Sequence, residues 1–572
     1  MPTIKQYLDK AERAESGKMS YRNPWQLVCE YIHQRRADFT STREPGAFIT
    51  ANLWTDDPTQ MAETAASALL GYMWPVGAKS FKLEGAHPLF EKDKTMSEFW
   101  SDATKTIQDE MDDPEAGLAV GMDELMLDVL CIGTAAILTE ERNFDESNLG
   151  ALSFDMWSVL EFSLDENAAG MANQFYRYRT FTVAQLIEKY GEENVSKKSL
   201  DAFKKGQTDQ LVKVLHVIAP RDLKDRKPTS KAAKDMPIAS VHIEVEAQKM
   251  LRNGGYPEMP VACLRLAKRI NEKYGRGRGM NALPSIMMLN QIWEDLALAS
   301  EKKLDPSLYV LNDTVSGNGV LDTSAGSINV LRVSKAQSNI PPVGKLYDIE
   351  DTGDVTALIE KLQNSIANHF YIDRLINMNN EREMTYGEAL MRNAIRQSTL
   401  RALVERAKQE LFEPLITRCF NILLRRGKFG YMPGDPVARA AEKAGRKVKM
   451  PPQKLLDAMD AGGDLYRIQY MTPAARDQKV EEGQAIVETA EVALKLAQFD
   501  ENIADVFDAE ATLIKYAEIR GAPRDIIRKE AEIKSIRSKR AEAAQAEQAA
   551  MLAKAGGGLA RDAAAAQNMT MT

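Results

Sequence analysis

The chain has 572 residues, of which 44% are hydrophobic and 27% charged. That excludes a small stapled module and bulk disorder, and it is long enough for several sub-structures with elements reaching out of a main body. The formal net charge of −8 disfavours a surface built to neutralise many phosphates at once.

Cys29, Cys131, Cys263 and Cys419 are scattered, without a Cys-x-x-Cys pair or histidines at ligand spacing, which argues against zinc and against a secreted disulfide framework. The N-terminal stretch lacks an apolar h-region and no 18-residue uncharged run occurs, so the expectation is synthesis in a reducing cytoplasm, with no membrane segment.

The first hundred residues read as helices joined by short loops. In DDPTQMAETAASALLGYMW, Asp57 can cap, Pro58 suits a first turn, and Met61, Ala65, Ala68, Leu69 and Met73 recur at helical spacing. ELMLDVLCIGTAAILTEE, Glu124 to Glu141, begins helical and passes into an apolar run that could be a strand. FTVAQLIEKYG gives a short helix closed by Gly191.

From Leu211 to Leu266, β-branched runs with Gly254 and Gly255 between them predict a small antiparallel sheet. The cluster YGRGRGMNALPS follows, then an amphipathic helix placing Ile286, Leu289, Trp293 and Leu296 on one face and limited by Pro306. Pro306 to Arg332 is short apolar runs broken by Gly- and Ser-rich turns, a compact β-rich insert. Helical spacing resumes in VTALIEKLQNSIANHFYIDRLI, breaks at NMNNERE, and resumes from MTYGEALMRN, with Thr385 and Glu388 as a capping box and Pro414 predicting a kink near Phe412. Beyond Gly427 a Pro- and Lys-rich segment reads as loop; after LYRIQYMTPAARDQ the chain reads helical to about Lys554, with Gly556 to Thr572 as a tail. The class is α+β, predominantly α.

Catalytic signatures are few. Gly275, Gly277 and Gly279 miss the Gly-x-Gly-x-x-Gly spacing, and the residues before them are charged rather than a buried strand, so a joint between elements is favoured over a phosphate cradle. Arg276 and Arg278 could touch phosphate but more commonly pair with nearby carboxylates. His33, His87, His216, His242 and His369 show no metal-ligand spacing, and neither a P-loop nor a Gly-x-Ser-x-Gly elbow is present. DELMLD, Asp123 to Asp128, reads as a solvated acidic face. No enzyme, cofactor or metal is expected. The polar break Tyr371 to Thr385 carries Arg374, Asn377, Asn379, Asn380 and Arg382, donors suited to fleeting phosphate contact, though composition alone also fits a surface turn.

The succession of parts resembles the portal protein of tailed bacteriophages, the head-to-tail connector family of short-tailed phages (podoviruses): a Gly-rich entry, a helix ending in LDPSLYV, a turn-rich β insert, a second helix, a polar loop, then EREMTYGEALMRN leading into a helix ending FEPLITRCFNILLRRG. TREPGAFITANLWTDDPTQMAETAASALLGYMWPVGAKSFKL and YRIQYMTPAARDQKVEE support it, over roughly Tyr21 to Lys554.

The resemblance implies a homo-oligomeric ring, usually of twelve subunits, at one capsid vertex of the virion. Double-stranded DNA passes through such a ring without sequence specificity, driven by a separate terminase, and capsid or scaffolding and tail adaptor proteins dock on it. Carried onto this chain, 1–273 would be the wing, 274–305 the hinge and first stem helix, and 306–345 the clip. Residues 346–370 would be the second stem helix, 371–385 the tunnel loop, 386–475 the long kinked helix and following wing or crown segment, 476–555 the crown and barrel, and 556–572 a tail. Gly275, Gly277 and Gly279 would be the stem hinge, Leu289, Trp293 and Leu296 stem-interface residues, with packing inside the same chain as the alternative for these three, and Arg374, Asn377, Asn379, Asn380 and Arg382 the channel residues. The competing readings are a helical scaffold or adaptor, and an enzyme binding nucleotide through Gly275–Gly279.

Overall fold

A computed structural model describes residues 2–36, 38–40, 52–75, 79–90, 93–142, 151–226, 232–305, 308–310, 343–345, 353–375, 386–432 and 450–497, with isolated positions elsewhere. The chain divides into two compact units, Met1–Ala474 and Ala475–Thr572.

In the first unit, the long helix α1 (Ile4–Tyr31) opens on a capping box in which the Thr3 hydroxyl accepts from the Gln6 amide and the Gln6 side chain accepts from the Thr3 amide. Helix α2 (Asp57–Met73), strand β1 (Phe81–Gly85), helix α3 (Lys94–Met111) and helix α4 (Leu118–Cys131) follow. The expected cap on α2 is displaced: Asp56 holds the cap position, but its carboxylate accepts from the Gln60 side chain at 2.7 Å rather than from a backbone amide, and Asp57, the first helical residue, accepts from the Gln363 side-chain amide at 2.6 Å.

Strand β2 (Thr134–Glu141) leaves α4 through Gly133, and β3 (Leu152–Ser158), β4 (Phe162–Glu166) and β5 (Ala172–Thr182) succeed it. Helices α5 (Val183–Tyr190) and α6 (Lys197–Lys204) precede β6 (Leu211–Pro220), β7 (Ile238–Glu244), β8 (Lys249–Tyr256) and β9 (Val261–Arg265). These form two antiparallel sheets, β3-β2-β9 and β4-β5-β6-β7-β8, where the sequence pattern predicts one. β9 leaves the larger sheet because all five of its residues are buried and it pairs with the buried Thr134–Leu138 part of β2. Gly254 and Gly255 lie inside β8 rather than between strands. A side chain on Gly255 would collide with the Ala233 and Ile238 carbonyls, so close backbone approach explains it. The turn falls earlier, at Gln248, whose φ is 47°.

The larger sheet is covered on one face by α1, through Tyr7, Ala11 and Ala14 against Leu215, Val217, Val241 and Ile243. On its other face Val212 and Val214 pack with Val183 and Leu186 of α5. The two groups of β6 alternate along the strand, as a period of two requires.

Helix α7 (Arg278–Leu304) packs beside α8 (Gly353–His369), and between them in sequence β10 (Leu308–Val310) pairs antiparallel with β11 (Val343–Lys345). The rest of the 306–345 insert lies outside the described residues. After the single turn α9 (Ile372–Leu375), helix α10 (Tyr386–Ala407) runs through a π turn, Lys408–Phe412, into α11 (Glu413–Arg425). The irregularity sits where Pro414, which has no amide hydrogen, enters the helix. The Thr385/Glu388 capping box lies outside the described residues. Helix α12 (Gln453–Ala461) leads to β12 (Tyr466–Tyr470), which pairs antiparallel with β1.

Helix α13 (Pro473–Ala497) begins at the end of the first unit; the second is described as helix to Ala497 and at positions such as 512–513, 515–517 and 535–543. Most of the predicted C-terminal helix and the tail beyond 556 lie outside the described residues.

Candidate functional site

The glycine stretch is built by close packing. Leu266 donates its amide to the Gly133 carbonyl (2.8 Å), Arg276 to Leu266 (2.7 Å), Gly277 to Ile132 (3.1 Å), and Gly275 to the Thr134 hydroxyl (2.8 Å). A Cβ on Gly275 would run into Gly133 and Leu266, one on Gly277 into Cys131, and one on Gly279 would sit 2.8 Å from the Cys131 carbonyl. None of the three has the left-handed φ that would require glycine for a turn, so it is the approach of two backbones that excludes side chains. The space a pyrophosphate would need is filled by residues 131–134. Tyr274, just before, is buried against Tyr21 and Trp25, with ring centroids 5.4 Å from each.

Behind this joint lies a buried ion-pair network. Arg265, at the end of β9, pairs with Glu166 and, at 2.7 Å, with Glu410 of the π turn; Glu410 also accepts the Arg265 amide at 3.0 Å. The π turn thus aims Glu410 at β9. Nothing in the sequence pattern announced this network.

The two loop arginines separate. Arg276 makes a bidentate pair with Glu272, at 2.6 and 2.9 Å. Arg278, the first residue of α7, places its guanidinium over the Tyr371 ring, 4.5 Å from the centroid, and Arg374 lies 5.7 Å from the same ring. Burial, and then the charge of Arg374, push the Arg278 guanidinium below its ordinary pKa.

Tyr371 itself has φ 61°, a left-handed conformation unusual for an aromatic residue, which ends α8 and starts α9. Its carbonyl accepts from the Arg374 amide at 3.1 Å. Arg374 is therefore described and half-buried; Asn377, Asn379, Asn380 and Arg382 lie outside the described residues. Sequence reasoning weighed Arg278 only as a loop arginine. The partnership with Tyr371 spans nearly a hundred positions and has no local signal.

Along α7, Leu289 is fully enclosed by its own chain, and Trp293 and Leu296 are half-buried against the same core. Asn290 fixes the helix, accepting from the Trp54 amide (2.8 Å) and donating to the Asn52 carbonyl (3.1 Å). Besides the terminal Leu304, the large apolar groups α7 leaves open are Met287, Met288 and Leu298, which fall away from the Leu289 stripe.

The scattered histidines have structural surroundings. His33 bonds Asp128 at 2.7 Å, with Arg36 at 3.3 Å, so the acidic DELMLD face is partly buried rather than solvated. His216 and His242, opposite each other on β6 and β7, stack with centroids 4.0 Å apart. The four cysteines are buried and free, and burial raises each thiol's pKa. Among the described residues no His, Cys, Asp and Glu cluster could hold a metal, and no helix is long and apolar enough to cross a membrane.

With this geometry set out, comparison with known proteins gives a consistent answer. The chain is 22% identical over 555 residues to the portal protein of Salmonella phage epsilon15, covering 96% of this chain and 93% of the relative. It is 22% identical over 551 residues to the probable portal protein of Bordetella phage BPP-1, covering 95% and 92%. The family model described as bacteriophage head to tail connecting protein matches residues 4–527, and the chain belongs to that family.

Proposed function

We propose that this connector is the portal of a tailed phage: a closed ring at one capsid vertex through which double-stranded DNA enters and leaves. The observation that carries the reading is the family match over residues 4–527, which takes in the glycine joint, α7, the β10–β11 pair, α8 and the turn at Tyr371 in one unbroken order. In this reading α7 and α8 are the stem, 306–345 the clip facing motor or tail, and 371–385 the tunnel loop. The sheets with α10 and α11 form the wing, and the second unit the crown and barrel. Terminase, capsid or scaffolding and tail adaptor proteins are the partners, and the virion is the location.

The charge supports transit over anchorage. A wall that neutralised many phosphates would hold DNA by counterion release, whereas a net −8 chain with a few basic contacts lets it pass. Met287, Met288 and Leu298 give α7 an apolar side that a neighbouring copy would cover.

Native mass spectrometry with negative-stain imaging tests this. A ring of twelve 63.7 kDa chains weighs about 760 kDa and has an axial hole. A particle that stays monomeric or dimeric under assembly conditions, or assembles without a hole, overturns the reading. For the loop, the Arg374→Ala/Arg382→Ala double variant is expected to package or retain less DNA; unchanged amounts remove both from the channel.

A further inference from the structure

We propose that Arg278 and Arg374, gathered on the Tyr371 ring, form a binding site for one phosphate group, the DNA backbone being its source. The proposal rests on the portal reading for that source, and on geometry alone for the site.

Three observations lead there. The first is that two cations share one aromatic ring with, among the described residues, no carboxylate between them. Among the described residues neither guanidinium has a carboxylate partner or a side-chain hydrogen bond, whereas Arg276, two positions away, is fully paired with Glu272. Like charges held this close oppose each other, and a phosphate that accepts from both removes the opposition.

The second is a donor without an acceptor. The Nε of Arg278 is buried and makes no hydrogen bond. Buried donors are normally satisfied, so this one calls for an explanation, and an anion over the ring supplies one. Arginine's planar fork suits phosphate oxygens in a bidentate arrangement.

The third is how firmly the site is held. Arg278 follows Gly277, which is pinned to Ile132, and its ring platform Tyr371 is nearly buried beside the fully buried Phe370. Arg374 is carried on the one-turn α9, directly ahead of the segment read as the tunnel loop. One cation is therefore fixed to the joint at the base of α7 and the other to the loop's root, so an anion between them would tie the loop to the stem.

The test uses the full-length protein and two probes. Inorganic phosphate binding is measured by calorimetry at constant ionic strength, and binding of a short DNA duplex by fluorescence anisotropy over a range of chloride concentrations. Arg278→Gln and Arg374→Gln should each weaken phosphate binding at least tenfold, with Arg278→Lys recovering part of the loss and Arg276→Gln changing nothing. For the duplex, each Gln substitution should lower the slope of log affinity against log salt by about 0.9, the loss of one phosphate contact.

Thermal unfolding in chloride shows that the variants are folded. Phosphate affinity equal in wild type and both Gln variants overturns the site. Phosphate binding that falls while the duplex slope stays unchanged overturns DNA as the source. Particle mass, measured on the same samples, reports on the ring separately, so failure of the portal reading would not be mistaken for failure of the site.

Discussion

The glycine joint and the Tyr371 junction meet through Arg278, yet they are built on opposite terms. At the joint, successive amides find backbone or hydroxyl acceptors inside the chain, and the two segments lie so close that only glycine fits. At the junction, a tyrosine sits in a left-handed conformation beside two cations that have no carboxylate partner among the described residues. The contrast teaches where this molecule is complete by itself and where it is not. Substitutions at the joint should cost folding, and substitutions on the unpartnered surfaces should cost assembly or binding.

The largest effect is expected at the joint. In Gly277→Val the side chain would have to occupy the Cys131 backbone, so destabilisation above about 5 kcal/mol is expected, seen as loss of cooperative unfolding by calorimetry. A normal transition in that variant would show that the two backbones can part and would erase the contrast.

Next comes the network behind the joint. Arg265→Met leaves the largely buried Glu410 without its cation, while Glu166 keeps Lys268 at 2.5 Å, and should cost about 3 kcal/mol by denaturant titration. A near-neutral result would mean that water reaches the site.

A smaller, pH-dependent effect belongs to the stacked histidines. Burial holds His216 well below its usual range, and burial with Lys189 and Arg252 nearby lowers His242 to about 3. Both are neutral bases in the fold that gain protons more readily once unfolded. Their contribution is present above pH ~6.5 and is lost as pH falls below it. For His242 alone the loss between pH 6.5 and 5 is about 2 kcal/mol. The double variant His216→Phe/His242→Phe should flatten the stability-against-pH curve in that window; an unchanged slope would exclude the pair as its origin.

The smallest effect on folding is expected on the open side of α7. Met288→Glu should change chain stability by no more than about 0.5 kcal/mol while abolishing the high-mass particle in native mass spectrometry. A particle of unchanged mass would place the neighbouring copy elsewhere.

Much of the fold was legible because it is written locally. The α7 stripe, Gly191 after α5 and the irregularity before Pro414 each arise from residues within a turn or two of one another. The second sheet was not legible, because β9 and β6–β8 carry similar β-branched runs and only pairing with β2 separates them. The candidate site was half-legible. Composition singled out Arg374 and the glycines, while the Arg278–Tyr371 contact and the Arg265–Glu410 pair join residues nearly a hundred positions apart or more, and no periodicity records them. Leu289 was chosen from the helical stripe, yet that stripe faces its own chain's core, since periodicity reports a buried face without saying what buries it.

The pairing of β1 with β12 sets Phe81 opposite Tyr470, so almost four hundred residues must be synthesised between the two strands of one ribbon. At about 5–20 residues per second, β1 waits roughly 20–80 s on the ribosome for its partner. During that wait Phe81 and Leu83, both buried in the finished chain, have no strand beside them. The ribbon is therefore a timing device as well as a clasp: the first unit closes only when nearly the whole of it exists, and a truncated chain carries an open strand edge that marks it as unfinished.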